Sequence, residues 1–289
     1  KSDLDDFRVK GGIWAGYQLY DLYQEASLPF EWHKELFEYA KSEKITIFSS
    51  PFDTTSVDLL ESLNIPFYKI ASPEIIDLQL IEYVARKRKP IMISTGMASL
   101  EEINDALQVC LDCKNNSIIL LHCISSYPSN LSQSYLANIE ILKKKFGTLV
   151  GISDHSLDNL SACISVAMGA KVVEKHFTLS RKDGGVDSKF SLEKEELKFL
   201  SSSLKNTFNS INRSKFGPKE EEVENYRNRR SLFLVNDKKR GERINAKDIK
   251  SIRPATGLKP KYFKSIIGKK VKEDLRSGTP INMDMFIND

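Results

Sequence analysis

Residues 149–177 read LVGISDHSLDNLSACISVAMGAKVVEKHF. Leu149 to Asp154 and Lys171 to Phe177 are short, near-continuously apolar runs rich in β-branched residues, and Leu160 to Met168 between them is a helical segment. Strand, helix and strand in this order make the repeating unit of a parallel sheet, whose strands are apolar on both faces because helices cover the outside. Each run ends in polar residues, Ser153-Asp154-His155 in the first and Glu174-Lys175-His176 in the second.

The same unit recurs upstream. Ile45 to Ser49, Phe67 to Ser72, Pro90 to Thr95 and Ser117 to Cys123 complete six candidate strands. Helical segments separate them at Thr55 to Leu63, Leu78 to Arg86, Leu100 to Cys113 and Ala137 to Lys145, and a last helix runs from about Leu192 to Ile211. Polar residues close every run: Ser49-Ser50, Lys69 to Glu74, Ser94-Thr95 and Ser125 to Tyr127 join the two groups above. A doubly wound open sheet gathers ligand groups at one switch point, whereas a (β/α)8 TIM barrel builds its site from all strand C-termini, so the recurrence predicts the barrel. Barrel closure takes about eight strands. With six visible and no initial methionine, the chain is expected to be a fragment lacking the first two strands, or to hide them in Lys1 to Pro29, which reads as loop and short helix. An open barrel exposes apolar strand edges, an aggregation hazard.

The barrel is expected over residues 1–216 and a linker over 217–228, where Gly217-Pro218 precedes the acidic Glu220 to Glu224. Residues 229–289, with short strands and Gly-containing turns, predict a compact β-rich module.

The chain has 289 residues, 40% hydrophobic and 28% charged, enough to bury a full core. No apolar run reaches membrane-spanning length and no leader-like segment opens the sequence, so no membrane partner is expected and the cytoplasm is the default location. The net charge of +4 is spread rather than gathered into one arm, which argues against nucleic acid and suits a small anion. Arg86 to Lys89 and Lys143 to Lys145 fall at helix C-termini, where cations complement the helix dipole. Four cysteines are too few for a disulfide scaffold, and Cys110 and Cys113 read as helix packing.

Two of the four histidines, His155 and His176, stand at adjacent strand ends, where imidazoles can share a divalent metal and nearby carboxylates orient them. The competing reading is a pair of buried, hydrogen-bonded histidines. Lys69, inside a strand with Ser72 and Glu74 at its mouth, needs an anion: phosphate, carboxylate, a structural carboxylate partner, or a carbonyl substrate in a Schiff base. Serines at other strand ends, Ser50, Ser94 and Ser153, favour phosphate or carboxylate. His33 and His122 read as packing groups or as groups that support site residues from behind. The segment Arg181 to Asp187 follows the last strand as a flexible loop over the barrel mouth, with Asp187 a candidate for substrate hydroxyls.

Lys69-Ile70-Ala71-Ser72-Pro73-Glu74, Ser94-Thr95-Gly96-Met97, Ser153-Asp154-His155-Ser156, Glu174-Lys175-His176-Phe177 and Arg229-Arg230-Ser231-Leu232 closely resemble the signatures of the sialic acid synthase family. Ser251-Ile252-Arg253-Pro254 with Gly257-Leu258 is similar to that family's antifreeze-like (SAF) terminal domain. The resemblance implies condensation of phosphoenolpyruvate with an N-acetylated amino sugar, assisted by Mn2+ or Mg2+ on His155 and His176. It places Ser50, Lys69, Ser72, Ser94, Ser125 and Ser153 around phosphoenolpyruvate. It places Glu74, Tyr127, Glu174 and Asp187 near the sugar, metal and attacking water. It also implies a domain-swapped homodimer in which Arg253 reaches the partner's active site. Gly11-Gly12-Ile13-Trp14, Phe30-Glu31-Trp32-His33 and Leu179 to Gly185 look most like the branch that takes 2,4-diacetamido-2,4,6-trideoxy-L-altrose, while its relatives take N-acetylmannosamine or the legionaminic precursor. Family members carry two further strands at the start, with a glutamate near the metal and a lysine and glutamine near phosphoenolpyruvate, which this sequence lacks. The competing readings are a class I aldolase using Lys69, a non-catalytic chain that is a ligand-binding remnant or a glycan-binding module built on the terminal domain, and an inactive truncated chain.

Overall fold

The computed structural model describes residues 1–287; Asn288 and Asp289, the end of the C-terminal module, lie outside the described residues. The chain forms two compact units, Lys1–Arg213 and Ser214–Asp289.

In the first unit, α1 (Leu19–Ala26), α2 (Phe30–Ser42) and α3 (Thr54–Ser62) precede an alternation of strands and helices. These are β1 (Tyr68–Ile70), α4 (Leu78–Ala85), β2 (Ile91–Ser94), α5 (Leu100–Asp112), β3 (Ile118–Cys123), α6 (Asn138–Phe146), β4 (Leu149–Asp154), α7 (Leu160–Ala167), β5 (Val172–Lys175) and α8 (Lys194–Ile211). The strands pair in parallel in the order β1-β2-β3-β4-β5, with no reversal. Sequential order in a curled sheet is the arrangement of a barrel wall. Helix starts carry the expected caps: Asp53 for α3, Asp77 for α4, and a Ser99/Glu102 capping box for α5. Gly147, at φ +66°, ends α6 in the left-handed region where a side chain is disfavoured.

Side chains alternate across each strand, and the two sets do different work. Tyr68, Ile70, Ile91, Ile93, Ile118, Leu120 and Val150 pack against Val57, Leu60, Ile81, Val84, Ile103, Leu107, Ile139 and Leu142 of the covering helices. Each fully buried aliphatic side chain there contributes roughly 1.5–3 kcal/mol. The opposite face ends, at the strand C-termini, in Lys69, Ser94, Cys123, Ser153 and Glu174. The register aligns Cys123 with Ser153 and Ser153 with Glu174, so polar ends meet in one tier.

One expected strand is absent. Ile45 to Ser49 has no ladder partner among the described residues, and Ile45 is exposed while Phe48 stacks on Phe67 with ring centroids 4.1 Å apart. Apolar, β-branched residues give a segment strand propensity, but a strand also needs a neighbour's hydrogen bonds. No strand is described within Lys1 to Pro29 either, where a single antiparallel bridge joins Arg8 and Gln18.

The second unit holds the antiparallel pair β6 (Ser231–Leu234) and β7 (Ile249–Ile252) over a core of Leu232, Leu234, Ile244, Ile249, Ile266, Val271, Leu275, Ile281 and Phe286.

Candidate functional site

A cavity of about 370 Å³ opens at the C-terminal ends of β1 to β5, lined by Ser50, Lys69, Ser72, Ser94, Cys123, Tyr127, Ser153, His155, Glu174, Lys175 and His176, among others. Nine of the thirteen residues expected at a site therefore share one cavity. Glu74, Ser125 and Asp187 do not line it but lie in the same unit. Arg253 lies in the other unit, where it lines a basic cleft with Asn225, Asn228, Arg229, Arg230 and Pro260.

The anion-facing half is built on Lys69. Its ammonium, buried, lies 3.8 Å from Glu174 Oε1 and donates to the Ile70 carbonyl at 3.1 Å. Burial pushes its pKa down, with Glu174 opposing. Ser72 Oγ accepts the Gly96 N–H at 3.1 Å. The Ser94 and Ser125 hydroxyls are buried with no protein partner. Buried polar atoms almost always find a partner, so these unfilled hydroxyls beside a cationic lysine mark a place for ligand oxygens. Glu74, on the turn after β1, likewise has a buried unpartnered Oε2, and burial raises its pKa.

The second half is built on the two imidazoles. His155 follows β4 and His176 follows β5, with ring centroids 5.3 Å apart. His155 Nδ1 pairs with the Ile124 carbonyl at 2.9 Å, which directs Nε2 away as the free nitrogen. Asp187 Oδ2 stands 3.5 Å from His176 Nδ1. Burial lowers the His176 pKa, opposed by Asp187. A backbone carbonyl on one ring and a carboxylate on the other is how metal-ligating histidines are held. Among the described residues, however, no group of three or more His, Cys, Asp and Glu side chains is arranged to hold an ion. The pair thus fits a divalent cation as two of its ligands, without a complete protein cage. Tyr127 stacks on His155 at 4.4 Å between centroids, and burial pushes its phenol up to about 12.

Two features escaped the sequence reading. Asp154 and Lys175, adjacent in register and both buried, form an ion pair at 3.0 Å, and Lys175 also donates to the Ser156 carbonyl. Strand alternation was the available signal, because residues between Ser153 and His155, or between Glu174 and His176, must face the opposite side. Cys123 also reaches the cavity, its Sγ 4.0 Å from His155 Nδ1. The segment Arg181 to Asp187, expected as a flexible loop, is anchored at its first residue. The Arg181 guanidinium forks onto Glu196 at 2.6 and 2.8 Å and reaches the Ser191 carbonyl, while its N–H donates to Glu193. A bidentate pair of this kind fixes direction as well as distance, and it holds the Glu196 carboxyl at about 2.

A parallel β/α wall carrying a hydroxyl-rich cavity with a buried lysine and a histidine pair at its strand C-termini has the architecture of a barrel-type enzyme. Residues 1–215 match the NeuB family and residues 229–287 the SAF domain. The chain belongs to the NeuB family. It is 40% identical over 285 residues to the pseudaminic acid synthase of Helicobacter pylori, covering 98% of this chain and 84% of that one. It is 38% identical over 251 residues to the N,N'-diacetyllegionaminic acid synthase of Campylobacter jejuni, covering 85% and 75%. The crystal structure of N-acetylneuraminic acid synthetase from Leptospira borgpetersenii, in complex with citrate, superposes with a TM-score of 0.66 at 32% identity, covering 71% of this chain and 72% of that one. These relatives bear out the expected family, the barrel-type fold with its SAF domain, and an enzymatic synthase. Among the described residues no helix is long and apolar enough to cross a membrane.

Proposed function

We propose that the chain condenses phosphoenolpyruvate with 2,4-diacetamido-2,4,6-trideoxy-L-altrose and water, giving pseudaminic acid and phosphate. The observation that carries this choice of sugar is the 40% identity to a pseudaminic acid synthase along nearly the whole chain. The cavity supports the phosphoenolpyruvate half independently, because its buried Lys69 and the unpartnered hydroxyl of Ser94 suit a compact polyanion.

In this reading Lys69, with Ser50, Ser72, Ser94, Ser125 and Ser153, binds the phosphate and carboxylate of phosphoenolpyruvate. Its C3 attacks the aldehyde carbon of the open-chain sugar, forming the new C–C bond as the aldehyde oxygen takes a proton. Water adds at C2, and the resulting intermediate loses phosphate by C–O cleavage. His155 and His176 would hold a divalent cation, Mn2+ or Mg2+, which when bound would supply Lewis-acid polarisation of the aldehyde oxygen. In the same reading Glu174, beside both Lys69 and Ser153, and Glu74, whose pKa burial raises, move protons at the attacking water. Tyr127 and Asp187 orient the sugar. A homodimer in which Arg253 enters the partner's cavity belongs to the same proposal, as does a cytoplasmic setting, which four free cysteines suit.

The test is phosphate release from phosphoenolpyruvate, with and without chelator, comparing the altrose sugar with N-acetylmannosamine and the legionaminic precursor. Metal-dependent release with the altrose sugar is expected. Release with another sugar alone moves the chain to that branch. Absence of release with all three, or borohydride trapping of pyruvate on Lys69, overturns the reading.

A further inference from the structure

Trp14 lies outside the sheet, in a short turn of the N-terminal segment. Backbone hydrogen bonds between Val9 and Tyr17 and between Gly16 and Val9 close this turn, and Gly12 and Gly16 take the positive φ values it requires. From there the indole N–H donates to the Val186 carbonyl at 2.8 Å, across 172 residues of sequence. Among the described residues no other side-chain hydrogen bond ties the stretch 184–187 to a segment distant in sequence. Its other hydrogen bonds are local, the Gly185 carbonyl accepting from the Ser188 hydroxyl at 3.0 Å and the Asp187 carbonyl from the Ser191 hydroxyl at 2.8 Å, while Gly184 and Gly185 take φ of +82° and +100°. Val186 precedes Asp187, whose carboxylate faces His176. The indole ring also packs on Tyr127, centroids 5.2 Å apart, and edge-on to the buried Phe190 at 6.2 Å; Tyr127 in turn stacks on His155.

Two supports therefore start at Trp14 and end on the two imidazoles. One runs through Tyr127 to His155, the other through Val186 and Asp187 to His176. We propose that Trp14 is a positioning residue for the sugar-binding half of the cavity, fixing Asp187 through its N–H and Tyr127 through its ring. Among the described residues its own contacts, Val186, Tyr127 and Phe190, do not include Lys69, Ser72 or Ser94, so its removal is expected to perturb the sugar more than phosphoenolpyruvate binding. This rests on the assignment of His155, His176 and Asp187 to the sugar given above.

The experiment uses Trp14→Phe, which keeps a ring and removes the N–H, Trp14→Ala, and Asp187→Ala alone and combined with Trp14→Phe. Displacing a positioned group by about 1 Å costs up to roughly 100-fold. Trp14→Phe is expected to lower kcat/KM for the sugar about 10-fold, with the KM for phosphoenolpyruvate within about twofold of the parent and an unchanged thermal midpoint. Trp14→Ala is expected to lose more. If Trp14 acts through Asp187, the double variant is no worse than Asp187→Ala alone. Additive losses, or equal effects on both substrates, overturn the proposal while the parent's own phosphate release leaves the function standing. The chain has two tryptophans, so Trp32→Phe leaves Trp14 as the sole indole emitter. Its emission should change on titration with the altrose sugar and stay constant with phosphoenolpyruvate. No change with the sugar overturns the proposal whether or not turnover is seen.

Discussion

The Ser153 hydroxyl donates to Glu174 Oε1 at 2.6 Å, across a pair of residues that the β4–β5 register sets side by side. The same oxygen stands 3.8 Å from the Lys69 ammonium. One carboxylate is thus held by a serine and shared with a buried lysine that it approaches without a close hydrogen bond. The lysine keeps part of its charge for another anion.

Replacing Glu174 by Gln should expose that division. The amide can still accept from Ser153, but Lys69 loses its counter-charge, and breaking a buried pair from one side typically costs about 3–5 kcal/mol. Because Glu174 is only partly buried, a loss of about 1–3 kcal/mol is expected here. Phosphoenolpyruvate then supplies the missing charge, so it should raise the thermal midpoint of Glu174→Gln more than that of the parent, while phosphate release falls at least about 100-fold. Equal midpoint shifts in the two proteins would show that Lys69 does not meet the ligand.

How much of this was legible in the sequence follows from how local each signal is. Lys69, Ser94, Ser153, Glu174 and both imidazoles lie at the ends of apolar runs, and strand alternation with strand C-termini suffices to bring them together. Ile45 to Ser49 has the same composition as those runs but no ladder, and composition carries no information about a partner strand. The Asp154–Lys175 pair is legible from alternation alone, since both residues sit between cavity-facing neighbours on adjacent strands. Trp14 stands out in the sequence only within a segment that resembles one branch of the family; its contact could not be read, because its acceptor is a carbonyl 172 residues away, which no periodicity marks.

Gly96 offers a sharper test of the anion-binding half. A Cβ there would lie 2.7 Å from Ser72 Oγ and closer still to Ser125 Oγ, both hydroxyls assigned to phosphoenolpyruvate. Real Cβ atoms do not sit so close, so Gly96→Ala must push the serines apart and strain the N–H donated to Ser72. The expected result is a rise of about 10-fold or more in the KM for phosphoenolpyruvate with the sugar KM little changed. Isothermal titration with phosphoenolpyruvate alone checks it, and unaltered affinity would remove Ser72 and Ser125 from the anion site.

The Asp154–Lys175 pair predicts a different outcome, structural before it is catalytic. Both side chains are 3% exposed or less, and Lys175 additionally caps the Ser156 carbonyl while the Ser156 N–H donates to Asp154 at 2.9 Å. These bonds fix the backbone on either side of His155. Lys175→Met leaves Asp154 buried without its cation and should cost about 3–5 kcal/mol in urea unfolding. The double change Asp154→Leu with Lys175→Met removes both charges and should recover much of that stability. Activity should not return with it, since the turn carrying His155 loses its polar anchor. Recovery of both together would mean that the pair does no more than fill space.

Acid should loosen the second unit through Asp248. Burial alone would push its carboxyl up, but the Lys238 ammonium at 2.8 Å, the Asn245 N–H and the Asn236 amide outweigh it and hold the group at about 2. In the unfolded chain an aspartate titrates near 3.9. The folded state therefore binds the proton less readily than the unfolded state, and stability rises with pH across this interval. The contribution, about 2 kcal/mol, is present above roughly pH 4 and is lost as pH falls toward 2. Amide exchange of β6 and β7, corrected for the intrinsic pH dependence of exchange, should show protection declining between those values. Lys238→Met should lower protection at neutral pH and flatten the decline, because the charge that depresses Asp248 is gone. A Lys238→Met protein whose acid transition matches the parent would place the pH dependence of this unit on other groups.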